Sequence, residues 1–392
     1  MQGRRWIVLA GVVLGRVAFG VQFQALASLA PDLIAAFHLD YAGLGRLIGL
    51  YMLPGAFVAL PGGMLGRRFG DRATLGSGFA LMVAGSLVCT LAGGPAGIGI
   101  GRVVAGTGGV ILAVMMGKVV ADAFEGGSFV IAMAAIVGGF PVGVGACQLT
   151  TPPLTRWLGW HGDFLAGTLV ALAALVLFLI GEPRRPGAAS SGFQFPSRRE
   201  CLLTLIAGLV WTAYNSGYFG FLSWLPSLMA VRGHPVGLTG LAMAIATWGN
   251  IPLILLGGAL AARLGNLPVF VIGMAALIGG LVGIALNDAP IAWSTLFGTV
   301  GAMQASVIVA EGTLSARPEN RAVGMGIFYT TYYIGGAVMP DLLGRAADHA
   351  GSPAGAMLAA GAVAMLAFPL FALHQYLASP RRAGLRVTAG RA

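Results

Sequence analysis

One arginine stands where arginine is expensive. Arg16 lies ten residues beyond Trp6 inside an apolar run, so at ~1.5 Å per helical residue it sits ~15 Å deep, near the middle of a ~30 Å hydrocarbon core. Its guanidinium cannot reach water from there, and insertion scales put the cost at about 2.5–3.5 kcal/mol or more. The acids within apolar runs, Glu311 and Asp341, fall near opposite ends of their runs and do not match its depth. A guanidinium so placed fits a small anion bidentately; the competing reading is a structural role, paired with carbonyls or tyrosines. At similar depth lie Asn215, Asn250, Gln304, Tyr332 and Tyr333. Trp211, Asn215 and Tyr218 share one helical face at i, i+4 and i+7. Each of these could equally be a buried polar residue holding helices together. The five histidines sit at ends of runs, in gaps or near the tail, which argues against a relay of embedded histidines.

Other chemistry is missing its parts. The stretch Gly97–Gly109 is glycine-rich, but no Gly-x4-Gly-Lys-Ser/Thr occurs: Gly117-Lys118 is followed by Val119. Those glycines read as close helix packing. Cys89, Cys147 and Cys201 have no metal-ligand spacing and read as small packing residues, so neither a metal nor a cofactor is expected. An intramembrane hydrolase would need a nucleophile with a base at matching depth, and no Gly-x-Ser-x-Gly is seen. A non-transporting sensor or scaffold would be signalled by extra soluble domains.

The elements that must position these residues follow from composition. Hydrophobic residues make up 57% of the 392 and charged residues 9%, against about a quarter charged in an average soluble chain. Twelve runs long enough to span a bilayer lie at about 6–30, 41–64, 73–94, 96–120, 127–151 and 162–181, then 203–230, 238–262, 268–287, 291–315, 322–344 and 353–376. They are numbered here as spans 1 to 12. Residues 182–200 form a polar linker with two basic pairs, placing one unit at 1–181, a second at 201–378 and a basic, unstructured tail at 379–392.

The net charge of +10 could suggest nucleic acid, but its placement argues for a membrane. Seventeen Lys and Arg residues fall in alternate gaps (Arg4, Arg5, Arg67, Arg68, Arg72, Lys118, Arg184, Arg185, Arg198, Arg199, Arg263, Arg317, Arg321, Arg381, Arg382, Arg386, Arg391). The intervening gaps hold four: Arg46, Arg156, Arg232 and Arg345. This bias puts both termini and the linker in the cytoplasm, in an inner (plasma) membrane of a bacterium. The chain also repeats itself. Gly63, Leu65, Arg68 and Gly70 recur as Gly258, Leu260, Arg263 and Gly265, each at 258 − 63 = 195. Ser28, Pro31, Leu33 and Ala35 recur at the same offset as Ser223, Pro226, Leu228 and Ala230. Trp211 is then the counterpart of Arg16, so the halves bring different chemistry to one centre.

The segment after span 2 resembles the loop signature of the major facilitator superfamily, Gly-x-Leu-Ala-Asp-Arg-x-Gly-Arg-Arg, through Gly63, Leu65, Arg68, Gly70 and Arg72. Arg102-x3-Gly106-x-Gly108 resembles the family's fourth-helix signature, and Gly159-Trp160-His161 its Gly-Trp-Arg before the sixth. The resemblance implies an all-α polytopic protein: two pseudo-symmetric six-helix bundles around a cavity lined by spans 1, 4, 7 and 10, working by alternating access. It implies a role for Arg102 in proton transfer or in packing. The signature's charges are exchanged, Arg67 standing where the family has Asp and Asp71 where it has Arg, at unchanged i,i+4 spacing.

The expectation is a monomeric secondary transporter, in mode a symporter, of a small anion. Arg16, Trp211, Asn215, Tyr218, Asn250, Gln304, Tyr332 and Tyr333 would bind the solute, while Arg67, Arg68, Asp71, Arg72, Arg102 and Glu311 would govern conformation or a coupling proton. A cyanate- or nitrate-permease-like branch is the nearest in kind, though spans 2 and 8 lack the paired arginines of nitrate carriers. The alternative is proton-coupled drug or metabolite efflux. It is weakened by the absence of an acid in the cores of spans 1 and 4, and Gly138–Gly145 resembles the family's antiporter signature loosely.

Overall fold

The computed structural model describes residues 2–59, 68–181 and 196–389, all helices and connections. Among them nine helical runs are long and apolar enough to cross a membrane: spans 1, 3 to 6, 8 to 10 and 12. The other three crossings are less uniformly apolar. Span 2 is the helix Tyr41–Gly49 followed by turns and a further helical stretch from 55; spans 7 and 11 are the helices Arg198–Val231 and Arg321–Ala350. Their 34 and 30 residues give ~45–50 Å at 1.5 Å per residue, more than a bilayer core needs.

Several crossings are broken where the sequence says a helix should stop. Span 1 ends at Ser28 and resumes as Ala30–Phe37 with Pro31 in its first turn. Span 8 breaks between Trp248 and Asn250. Span 10 breaks after Gly298, passes through a short 3-10 turn at Val300–Ala302, and resumes at Ala305. Proline is tolerated in the first turn, where its missing N–H costs nothing. Two expectations need adjustment. Span 5 continues through Pro152 and Pro153 to Leu158, so most of the expected loop at 152–161 is helix. The last helix runs Ala367–Ala389, well into the stretch read as an unstructured tail.

Packing repeats between the halves. In the first, span 1 packs on 5 and 6, span 3 on 4 and 6, and 5 on 6; in the second, 7 packs on 11 and 12, 9 on 10 and 12, and 11 on 12. Adding six to each number in the first set gives the second. The backbone repeats too: Gly70 and Gly265, at the 195 offset, precede spans 3 and 9 with φ of 80° and 90°. That left-handed region strains any residue with a Cβ, so the sequence echo marks a turn the fold needs twice. The glycines of span 4 are contact points. A Cβ at Gly101 would lie 2.5 Å from the Gly85 carbonyl, and one at Gly108 would strike the Gly78 carbonyl.

The halves meet along two further pairs, span 2 with 11 and span 5 with 8. These contacts concentrate toward the membrane face opposite the chain termini, called here the far side. At the first, the backbone N–H groups of Tyr41 and Ala42 each donate to Asp348 at 2.9 Å, and Arg46 pairs with Asp341 at 3.4 Å. Gly45 and Gly49 lie flat against the Pro340 and Ala337 carbonyls. At the second, Gly145 receives the Trp248 ring and Gly240 receives Leu149. The far side is closed.

Ahead of span 7, Ser197 and Glu200 form a capping box. Glu200 also accepts from the Arg317 N–H at 2.7 Å and the Asn320 amide at 3.1 Å, tying the helix start to the connection between spans 10 and 11. Burial by itself would raise its pKa; the N–H groups of Ser197 and Arg317, with the Ser197 and Asn320 side chains, outweigh this and hold it down to about 2. A depressed carboxylate pKa contributes stability that is whole above the unfolded value and lost as pH falls toward the folded one. Glu200→Gln should therefore lower the thermal midpoint at pH 7. Its gap to the parent protein should close as pH drops from the usual 4.5 toward 2, as read by thermal denaturation in detergent.

Candidate substrate-binding site

Span 1 lies close against span 5 because Gly139 and Gly143 leave room for it: a Cβ on Gly139 would come within 2.8 Å of the Arg16 Cβ. The close approach places the Arg16 guanidinium over two rings, 5.3 Å from the Phe19 centroid and 5.4 Å from that of Phe140. Tyr329, Tyr332 and Tyr333 from the second half, and Tyr51 from span 2, lie near it. No carboxylate pairs with it among the described residues, and its Nε is buried without a hydrogen-bond partner. Stacked cation–ring contacts offset part of the desolvation, but a guanidinium has five N–H donors.

The facing wall is aromatic. Trp211 stacks on Tyr214 at 5.1 Å and Phe328 at 6.0 Å and lies 6.3 Å from Tyr332. Tyr332 stacks on Phe219 at 5.9 Å and meets Tyr333 at 5.1 Å. Phe219 in turn reaches Phe23 of span 1 at 5.8 Å, closing the set across the halves. The Trp211 Nε1 is buried and unbonded, a second donor held ready near the centre. Arg16, Trp211, Tyr332 and Tyr333 are thus brought together. Phe19, Phe140, Tyr51 and Tyr329, not singled out from sequence, join them; the spacing of Phe19 three residues after Arg16 was the available signal.

The amides behave differently. Asn215 donates to the Trp211 carbonyl at 2.8 Å, one turn back on its own helix. Asn250, at the break in span 8, donates to the Tyr218 hydroxyl at 3.1 Å, and Tyr218 stacks on Phe297. Gln304 is not brought to the group. It is fully buried, donates to the Gly301 carbonyl at 2.9 Å and is pressed against Gly273 of span 9.

Residues expected to govern conformation or protons are dispersed. Arg102 is 2% exposed. It donates to the Gln22, Ile48 and Leu47 carbonyls at 2.6, 2.9 and 3.2 Å and lies over the Tyr51 ring at 4.5 Å. Of the two roles the family resemblance left open, its contacts are those of a packing strut joining spans 1, 2 and 4. Arg67 lies outside the described residues. Asp71 is bonded by Lys118 of span 4, which also holds Asp122 at 3.1 Å; Lys118 was read from sequence as a gap cation alone. Arg68 is exposed over the Phe69 ring, and Arg72 is half-buried. In the second half, Asn266 stands where Asp71 does, at the 195 offset, and donates to Glu311 at 2.6 Å. Each half thus has a polar link from the start of its third span to the end of its fourth.

Glu311 lies in that link, away from Arg16, and His374 is its neighbour at 3.8 Å. This corrects the expectation that no histidine is embedded. His374 is 2% exposed and bonds Ser315 at 2.9 Å, because the end of span 12 packs there against the end of span 10. A buried acid was also missed. Asp163, at the start of span 6, is 1% exposed, its charge masked in sequence by its position at the edge of a long apolar run.

The sequence profile of the Major Facilitator Superfamily matches residues 12–340 and 233–389. A metabolite transport protein, so named, of Haemophilus influenzae is 27% identical over 302 residues, 72% of this chain and 74% of that one. The multidrug efflux protein YfmO of Bacillus subtilis is 25% identical over 367 residues, covering 88% and 86%. Among solved structures, the nucleoside transporter NupG superimposes with a TM-score of 0.76 at 13% identity, over 93% of this chain and 99% of that one. A bacterial homologue of the human lysosomal transporter Spinster, in an inward-facing and unoccupied conformation, gives 0.73 at 16% over 95% and 97%. The repeated six-helix packing, the twelve crossings and the profile match agree: this chain belongs to the Major Facilitator Superfamily of membrane transporters.

Proposed function

We propose that this transporter moves a small anion by alternating access, with Arg16 as the counter-charge. The observation that carries the reading is the half-buried guanidinium itself, set over Phe19 and Phe140 with its Nε buried and unbonded and no described carboxylate beside it. A bound carboxylate or comparable anion would satisfy the donors, and the rings of Trp211, Tyr332 and Tyr333 would cover an apolar or planar body. The cation bias places the termini in the cytoplasm; with the far side closed, the solute would then be exchanged from the cytoplasmic face in this conformation.

A second reading has its own support. The same aromatic wall suits an amphipathic compound, and relatives include the multidrug efflux protein YfmO and, at 32% identity over 51% of this chain, a multidrug resistance protein B homologue of Mycobacterium tuberculosis. Uptake into proteoliposomes separates the two. Small carboxylates and inorganic anions should accumulate saturably and compete with one another, with or without an imposed pH gradient. Competition by lipophilic cations and none by anions would transfer the protein to the efflux reading.

A further inference from the structure

A row of polar side chains crosses the first half near its far side. Ser28 Oγ lies 3.7 Å from Cys147 Sγ, which lies 3.9 Å from Thr151 Oγ1, and Thr151 Oγ1 meets Asp163 Oδ2 at 2.6 Å. All four residues are at most 9% exposed. The Thr151 hydroxyl also lies 2.8 Å from the Cys147 carbonyl, one turn back on span 5. A hydroxyl has one proton to give, and two acceptors lie within reach of it here, the Cys147 carbonyl and Asp163 Oδ2. Both contacts can be hydrogen bonds at once only if a second proton is present, and the carboxyl is the group that can supply it. Asp163 Oδ1 agrees: it is buried with no hydrogen-bond partner and no Lys, Arg or His paired to it among the described residues. An ionised carboxylate there would leave a buried charge uncompensated; a carboxylic acid leaves a neutral carbonyl.

We propose that Asp163 is a proton-binding site of the transport cycle, protonated while the far side is closed and emptied when it opens. The row borders the closed seam. Gln148 and Leu149, beside Cys147, pack on Gly240 of span 8, and Gln24, one turn before Ser28, donates to the Leu222 carbonyl of span 7 at 3.0 Å. Parting the halves admits water to both flanks of the row. Water accepts the proton and solvates the carboxylate left behind; closure expels the water and requires the proton back. The surrounding groups favour the neutral form. Asp32, on the helix Ala30–Phe37, acts on Asp163 electrostatically with like charge. Span 5 faces it with Cys147 and Thr151, span 3 presents the uncharged Ser86, and His161 on its own helix bonds the Thr90 carbonyl. Arg156, at the end of span 5, is exposed and makes no ion pair among the described residues. The first-turn position of Asp163 favours negative charge, but no first-turn N–H bonds its carboxylate among the described residues. The site is independent of which solute is carried.

Infrared difference spectroscopy of the purified parent protein and Asp163→Asn tests it without a solute. The parent should show a protonated-carboxyl carbonyl band at pH 7 that shifts in heavy water and vanishes in the variant. Absence of that band would overturn the assignment. The second measurement is pulsed EPR between labels at the exposed positions 157 and 236, on opposite halves at the far side, in a Cys201→Ser background. Raising pH should shift the parent toward longer distances, while Asp163→Asn, fixed neutral, should stay closed. A variant with the parent's pH response would show that Asp163 does not couple to the seam. Should Asp163→Asn fail to fold, Thr151→Val serves: losing the hydroxyl should displace the carboxyl band, and an unmoved band would refute the contact.

Discussion

Arg16→Ala is expected to give a folded, monodisperse transporter that has lost at least about 30-fold in affinity for an anionic solute, since truncating one partner of a buried charge pair costs roughly 2–5 kcal/mol. The protein should tolerate the change because the side chain is itself a burden: removing a guanidinium from mid-membrane relieves a cost of at least about 2.5–3.5 kcal/mol. Its stacking on Phe19 and Phe140 returns about 1–2 kcal/mol of that, at about 0.5–1 kcal/mol for each ordinary cation–ring contact. Arg16→Lys discriminates between charge and shape. It keeps the positive charge and loses the planar fork and the ring stacking, so affinity should fall toward that of the alanine variant. Isothermal titration on purified protein, using the anion found by the uptake screen, is the check. Parent-like affinity in Arg16→Ala would leave Arg16 a structural residue held by its aromatic neighbours.

Joint replacement of Gly45 and Gly49 by alanine should hold the far side open. Both glycines lie against backbone carbonyls of span 11, and backbone, unlike a side chain, cannot rotate away. Overpacking of this kind costs about 1–3 kcal/mol, which in a two-state equilibrium moves the population ratio about 5- to 150-fold. Transport should fall accordingly while the fold survives, because each half keeps its own packing. A cysteine at Leu222, buried where span 7 meets span 1, reports the change. It should resist an impermeant thiol reagent in the parent and react in the double variant. Unaltered labelling and transport would mean the seam has slack.

The crossings, their number and the two-fold repeat were readable because they depend on hydropathy along the axis and on residues with special backbone needs. Gly70 and Gly265 illustrate the second: an echo in sequence turned out to be a repeated positive φ. What could not be read is which way a side chain faces around the helix. A soluble helix shows its buried side by polar residues on the other, but a helix in lipid is apolar all round. Arg16 and Gln304 therefore looked alike in depth, yet Arg16 faces the aromatic cluster while Gln304, just past the break at Thr299–Ala302, is turned to span 9. The amides failed for a second reason, since Asn215 can satisfy itself on its own helix. His374 and Asp163 were hidden at the ends of apolar runs, where counting residues does not distinguish a side chain in water from one under a neighbouring helix.

The seam is itself two-fold symmetric. Span 2 meets span 11 and span 5 meets span 8; since 8 and 11 are the second copies of 2 and 5, these are one contact made twice. That is the pattern of an isologous interface in a two-fold homodimer, here made within a single chain. A homodimer must accept every substitution on both sides of its axis. A single chain is free of that restriction, and the two contacts differ, one carrying Asp348, Asp341 and Arg46, the other the Trp248 ring in a glycine notch. Two interfaces of unequal chemistry need not release together, so the parting of the halves can become a hinge about whichever contact holds longer.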